Sequence, residues 1–272
     1  MPSITTNDNV RLDYLESGDP NGRPVVLIAG FKAAATTWVL QQDALIAAGC
    51  RVLAFDRRGH GTSEAPAYGA RLSRHGKDLE EFLTALSLED AVLVGGSMGA
   101  STIWAYAGLF GTERIAGAVT VDQTPKMLNT ADWPHGFYGF DRATMGTTFE
   151  HGVPATGHGT PLAERGERLQ RVMKAMNIDP TRQTPVVLTP ADLALLGDHA
   201  VQDWRDVIAR FTVPSLFVAA RESEVWPCSH AEASAALNGQ ARSHVIEHCG
   251  HAANIEQPDE FNALLTDFLS QI

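Results

Sequence analysis

The most regular feature of this chain is a short apolar run that does not alternate with polar residues. Residues 25–28 (VVLI), 51–55 (RVLAF), 91–94 (AVLV) and 215–220 (SLFVAA) are of this kind. Such runs suit strands covered on both faces, as in a parallel sheet flanked by helices. Between them the spacing becomes helical: residues 36–48 carry Trp38, Leu40 and Leu45, and Leu79, Phe82, Leu83 and Leu86 fall at i, i+3, i+4 and i+7 of one face. Further helices are expected near 98–109, 230–237 and 260–272, the last with Phe261, Leu264, Leu265 and Phe268 on one face. Further strands are expected at 115–121 and 243–246. Residues 11–17 alternate as a half-exposed strand would and lead into the turn Asp19-Pro20-Asn21-Gly22.

Alternating strand and helix patterns predict an α/β protein with a parallel sheet covered on both sides. The pattern breaks over 123–196, a stretch rich in Gly, Pro, His and aromatic residues with one helix expected around 162–176. This stretch reads as a cap inserted into a core made of 1–122 and 197–272. There is no internal repeat.

Composition narrows the function classes. With 44% hydrophobic and 19% charged residues in 272, the chain has the balance of a globular enzyme. A net charge of -11 disfavours nucleic acid, whose phosphates demand clustered Lys and Arg. The three cysteines, Cys50, Cys228 and Cys249, form no close-spaced pair, which fits a reducing compartment. Residues 1–11 lack the basic start and apolar middle of an export signal, and no apolar run is long enough for a bilayer. A cytoplasmic location without a membrane partner is expected.

The chemistry centres on Gly95-Gly96-Ser97-Met98-Gly99, a G-x-S-x-G directly after an apolar strand and before a helix. That is the context of a nucleophile elbow, in which small flanking residues permit a strained Ser to project its hydroxyl. The helix that follows supplies N–H groups and a positive dipole end for a developing oxyanion. The bland alternative is a Gly-rich helix start capped by Ser.

With the elbow in view, the chain resembles the α/β-hydrolase fold superfamily over nearly its whole length apart from 123–196. The resemblance rests on Ala29-Gly30-Phe31 followed by Trp38, on Asp56-Arg57-Arg58-Gly59-His60-Gly61-Thr62-Ser63, on the elbow, and on Gly250-His251 followed by Glu256-Gln257-Pro258 and Phe261. It implies a mostly parallel eight-stranded sheet with helices on both faces. Asp56, Arg58 and Gly61 match a stretch that shapes a loop in the family and are expected to be structural.

A neutral Ser hydroxyl needs a base to take its proton. The resemblance assigns that role to His251, after the last strand. His244 and His248 lie nearby, but their spacing matches no helical metal-ligand pair, so no metal is expected. The resemblance also implies an oxyanion hole from the N–H groups of Phe31 and Met98. Ala29 stands where the family commonly has His, and Lys32 beside it reads as a solvated loop residue in preference to a contact for an anionic substrate group.

The third member departs from the family pattern. The usual acid position is Ser223, within Arg221-Glu222-Ser223-Glu224-Val225-Trp226-Pro227, and Ser cannot hold an imidazolium electrostatically. Asp122, ending the strand 115–121, is preferred because some members carry their acid there. Glu224 and Glu222 remain alternatives.

The expected chemistry is hydrolysis of small to medium carboxylic esters or lactones through an acyl-enzyme, with no metal or organic cofactor. Trp133, Phe137, Tyr138 and Trp226 either line the substrate pocket or are ordinary packing; His135 shares that choice. A cofactor-free perhydrolase or haloperoxidase-like activity would use the same residues. So would a C–C hydrolase, a hydroxynitrile lyase or a slow-turnover ligand receptor. Haloalkane dehalogenases and epoxide hydrolases of this fold need Asp at the elbow, so Ser97 argues against both. Oligomeric state stays open.

Overall fold

The apolar runs become the middle of an eight-stranded sheet in the computed structural model, which describes residues 1–178 and 187–272. The first half of the chain lays down β1 (Ser3–Thr5), β2 (Arg11–Gly18), β3 (Arg23–Ile28), α1 (Val39–Ala47), β4 (Cys50–Phe55) and α2 (Leu72–Ala85). It continues with β5 (Ala91–Gly96), α3 (Met98–Phe110) and β6 (Ile115–Val121). Next come α4 (Glu167–Ala175), α5 (Pro190–Ala200) and α6 (Arg205–Ala209). The chain closes with β7 (Ser215–Ala220), α7 (Ser229–Ala235), β8 (Ala241–Ile246), α8 (Ala253–Glu256) and α9 (Pro258–Ser270).

The strand order is β1-β2-β4-β3-β5-β6-β7-β8. The β1/β2 and β2/β4 pairs are antiparallel and every other pair is parallel. Because side chains alternate across a strand, each apolar run feeds two cores. Val26, Ile28, Leu53, Phe55 and Leu93 pack on one face with Leu79, Phe82 and Leu83 of α2 and Ile103 and Trp104 of α3. Val25, Leu27, Val52, Val92 and Val94 pack on the other with Leu45 of α1 and Phe261, Leu265 and Phe268 of α9. An unalternating run is the sequence trace of that double burial.

The structure adds elements that the pattern does not announce. Strand β1 is only three residues long and is held by pairing with β2, Ser3 opposite Asp13. The helix expected at 162–176 is divided: a 3-10 turn at Leu162–Glu164 and α4 are separated by Gly166 at φ +51°. The expected division at 196/197 falls inside α5. The Thr189 side chain accepts from Asp192 N–H and Asp192 in turn accepts from Thr189 N–H, a capping box with Pro190 next to it that starts α5. Residues 179–186, inside the stretch expected to form a cap, lie outside the described residues. Among the described residues no helix is long and apolar enough to cross a membrane.

In a parallel sheet, residues just past the carboxyl ends of the strands meet at one edge of the sheet. Phe31 follows β3, Ser97 follows β5, Asp122 follows β6, Ser223 follows β7 and His251 follows β8.

Candidate active site

Ser97 sits between β5 and α3 with φ +51° and ψ -129°, a strained conformation for a residue with a Cβ. Its N–H donates to Val121 O at 2.9 Å. The turn is possible because its neighbours are glycines. A Cβ on Gly99 would fall 2.2 Å from Ile28 O, and one on Gly95 would fall 2.5 Å from Gly99 C. The helix start can therefore press directly against β3 and β5.

Asp122 is fully buried at the end of β6, also at positive φ, +45°. Its carboxylate is satisfied on both oxygens. Oδ1 accepts from Ala220 N–H at 2.9 Å and lies 3.4 Å from His230 Nε2. Oδ2 lies 2.7 Å from His251 Nδ1 and accepts from the Ser223 hydroxyl at 2.7 Å. The residue at the family's usual acid position thus donates to the carboxylate that meets the imidazole.

Burial works to raise the Asp122 pKa, but hydrogen bonds with His230 and His251 outweigh it and hold the acid well below the usual carboxylate range. For His251 burial opposes the charged form, and the Asp122 hydrogen bond and charge overcome that to raise its pKa. Glu224 and Glu222 do not reach the ring. Glu224 accepts from the His251 backbone N–H at 2.9 Å, and Glu222 takes Thr160 Oγ1 at 2.6 Å and Arg168 at 3.0 Å.

Ser97 and His251 line the same two cavities. No hydrogen bond joins their side chains in this structure; in catalytic sites such bonds tighten when substrate binds. The His251 side chain keeps 28% of its surface accessible.

Neither the Phe31 nor the Met98 N–H has a partner among the described residues. The Phe31 loop is held from below by Arg57, which is almost wholly buried. Arg57 donates to Ala29 O at 3.0 Å and Gly30 O at 2.8 Å, and faces His75 Nδ1 and His60 Nε2 at 3.0 Å each. Lys32 is not simply solvated: it pairs with Asp192 of α5 at 3.1 Å. Asp56 accepts from Ala35 N–H at 2.6 Å and Thr62 N–H at 2.9 Å, Arg58 pairs with Asp78 at 2.5 Å, and Gly61 leaves no room for a Cβ beside Asp56. These contacts are structural, as the sequence reading expected.

The cavity of about 130 Å³ is walled by Gly30, Phe31, Trp38, Gly96, Met176 and Ile255. The other, about 160 Å³, has walls of Met127, Phe137, Phe149, Leu196, His199 and Trp226. Of the four aromatics singled out by sequence, Phe137 and Trp226 reach the larger cavity. Trp133 and Tyr138 line neither. Trp133 is buried, its Nε1 donating to Thr124 Oγ1 at 3.1 Å under the Arg205 guanidinium, and Tyr138 stacks on His158 at 3.6 Å. His135 bonds Ser229 at 2.9 Å. Both Trp133 and Tyr138 are spent on packing the segment between β6 and β7.

Sequence reasoning missed Leu196 and His199, and the Thr189-to-Asp192 capping box was the signal for the helix that carries them. Burial first, then the charges of Arg57 and His251, push the His199 pKa down to about 3, so it enters the cavity wall neutral. His244 pairs with Glu260 and the exposed His248 faces Glu222, so the histidines near His251 take separate partners. Among the described residues no three His, Cys, Asp or Glu side chains gather as metal ligands would.

A family model described as alpha/beta hydrolase fold matches residues 23–258. A Synechocystis sp. protein named for non-heme chloroperoxidase activity is 29% identical over 283 residues, covering 99% of this chain and 100% of that one. The bromoperoxidase from Bacillus anthracis superposes with a TM-score of 0.79 at 26% identity, covering 99% of this chain and 100% of its own. An esterase from Exiguobacterium antarcticum, at 20% identity, shares the fold with a TM-score of 0.77 over 98% of each chain.

Proposed function

Since the chain belongs to the α/β-hydrolase fold family, we propose that it is a serine hydrolase of small carboxylic esters or lactones. His251 takes the Ser97 proton while the serine oxygen attacks the substrate carbonyl. The Phe31 and Met98 N–H groups receive the oxyanion, and His251 returns the proton to the departing alkoxide. Water, deprotonated by the same imidazole, then releases the acid. Asp122 orients the ring and stabilises its charged form. No step requires a metal or an organic cofactor.

The observation that carries this reading is the 2.7 Å contact between His251 and the buried Asp122, beside a strained Ser97 and two N–H groups without a partner among the described residues. The two cavities flanking Ser97 have largely apolar walls, and His199, the histidine that joins His251 in the larger one, is neutral. They suit an uncharged substrate with a modest apolar group on each side of its carbonyl. In the same reading the described part of residues 123–196 acts as a cap over the larger cavity, and the three free thiols accord with a cytoplasmic location.

A fluorophosphonate should label the peptide holding Ser97, and Ser97→Ala should abolish turnover on a p-nitrophenyl ester panel. A label elsewhere, or turnover surviving Ser97→Ala, would overturn the proposal. The haloperoxidase-named relatives favour a second acceptor: peroxide in place of water would give a peracid from the same acyl-enzyme. Peracid formation from acetate and peroxide, lost in Ser97→Ala, is its test.

A further inference from the structure

The loop that presents His251 is tied down through its backbone. Gly250 N–H donates to Glu256 Oε2 at 3.0 Å, and His251 N–H donates to Glu224 Oε2 at 2.9 Å. The other oxygen of each carboxylate faces a single side chain. Arg165 Nη1 lies 3.0 Å from Glu256 Oε1, and Arg165 Nη2 lies 3.1 Å from Glu224 Oε1. Its Nε donates to Thr160 O at 2.9 Å, so all three guanidinium nitrogens are engaged.

Arg165 belongs to the segment between β6 and β7, just ahead of α4, and is only 6% exposed, while Glu256 is completely buried. The guanidinium lies against Gly250, where a Cβ would fall 2.3 Å from Nη1. Two further arginines, Arg168 and Arg171, lie three residues apart on one side of α4 and reach toward the same loop. Arg168 donates to His248 O and pairs with Glu222 at 3.0 Å, and Arg171 donates to Glu256 O at 2.7 Å.

We infer that Arg165 is a positioning residue for the base, bracing Glu224 and Glu256 so that they hold the backbone of His251 in register with Asp122. The inference rests on the hydrolase reading above and gives the segment that carries Arg165 a part in the catalytic geometry. The chemistry asks for Arg. A planar fork spans two carboxylates at once, whereas a lysine ammonium is a single point charge. Without the fork Glu256 is a buried carboxylate that has lost its closest cation, and the loop it holds must move to rehydrate it.

Arg165 lines neither cavity at Ser97, so its loss should act on the chemical step and not on substrate capture. On a p-nitrophenyl ester, Arg165→Met should lower kcat by about ten- to a hundredfold at unchanged KM, the scale of a misplaced catalytic group. Arg165→Lys should lose less. Adding Glu256→Gln to Arg165→Met removes the orphaned charge yet keeps an acceptor for Gly250 N–H, and should recover most of kcat. The downfield proton resonance of the His251–Asp122 hydrogen bond should broaden in Arg165→Met and return in the double variant.

Native kcat and a native resonance in both Arg165 variants would overturn the inference, as would a loss carried wholly by KM. If Arg165→Met does not fold, native kcat in Arg165→Lys overturns it alone. Turnover surviving Ser97→Ala would sink the hydrolase reading and this inference with it. Native behaviour of the Arg165 variants in a Ser97-dependent enzyme would sink this inference only.

Discussion

Asp122 ends an apolar strand at positive φ and with no exposed surface, and both conditions are costly for a carboxylate. The cost is offset by Ala220 N–H, the Ser223 hydroxyl and His251, with His230 at the edge of reach. Ser223 is thus a donor where the family pattern has an acid. On the proposed mechanism His251 works as a base only when neutral, and Asp122 raises its pKa, so kcat/KM should fall as pH drops through a value above the ordinary ~6.5. In Asp122→Asn the acid limb should move to lower pH and kcat should drop about 10⁴-fold. Introducing Ser223→Asp into that variant should recover part of the rate by returning a carboxylate to the same neighbourhood. A pH–rate profile of the three proteins checks both statements, and an unshifted limb in Asp122→Asn would count against the assignment.

At the level of elements, the junction of β5 and α3 has the least tolerance. Gly99 touches β3 closely enough that a methyl group would meet a backbone carbonyl, which cannot swing aside as a side chain can. Gly99→Ala should therefore cost about 1–3 kcal/mol or more, the range for overpacking, and should displace Ser97. Gly197, inside α5, has nothing within 4 Å of a would-be Cβ, and Gly197→Ala should instead stabilise by about 0.4–1 kcal/mol. Urea melts of the two variants set side by side test the contrast; equal midpoints would refute it.

Across the whole molecule, a net charge of -11 surrounds a site whose cavity walls are largely apolar. Anionic esters should be repelled during approach, and neutral ones should not. Raising salt from ~10 to ~150 mM shortens the screening length from ~30 to ~8 Å. Over that range kcat/KM for a carboxylate-bearing ester should rise, by up to about tenfold, while a neutral ester stays level. A flat response for both would mean that the charge lies too far from the entrance to matter.

Local pattern alone determined the alternation of strand and helix, the buried strands flanking the elbow, and Ser97 as a candidate, while His251 came from the family resemblance that those motifs carry. Unalternating runs, 3.6-residue spacing and G-x-S-x-G are each written in consecutive residues. What only the tertiary structure decided is which distant groups meet. Asp122, Glu222 and Glu224 are equally acidic on paper, and the order of the strands brings Asp122 to the ring while leaving Glu224 on its backbone. Trp133 and Phe137 are both apolar aromatics four residues apart, yet one packs away from the cavity and the other forms its wall. Contacts across 129 residues, as between Asp122 and His251, depend on strand order and burial, which no short window of sequence contains.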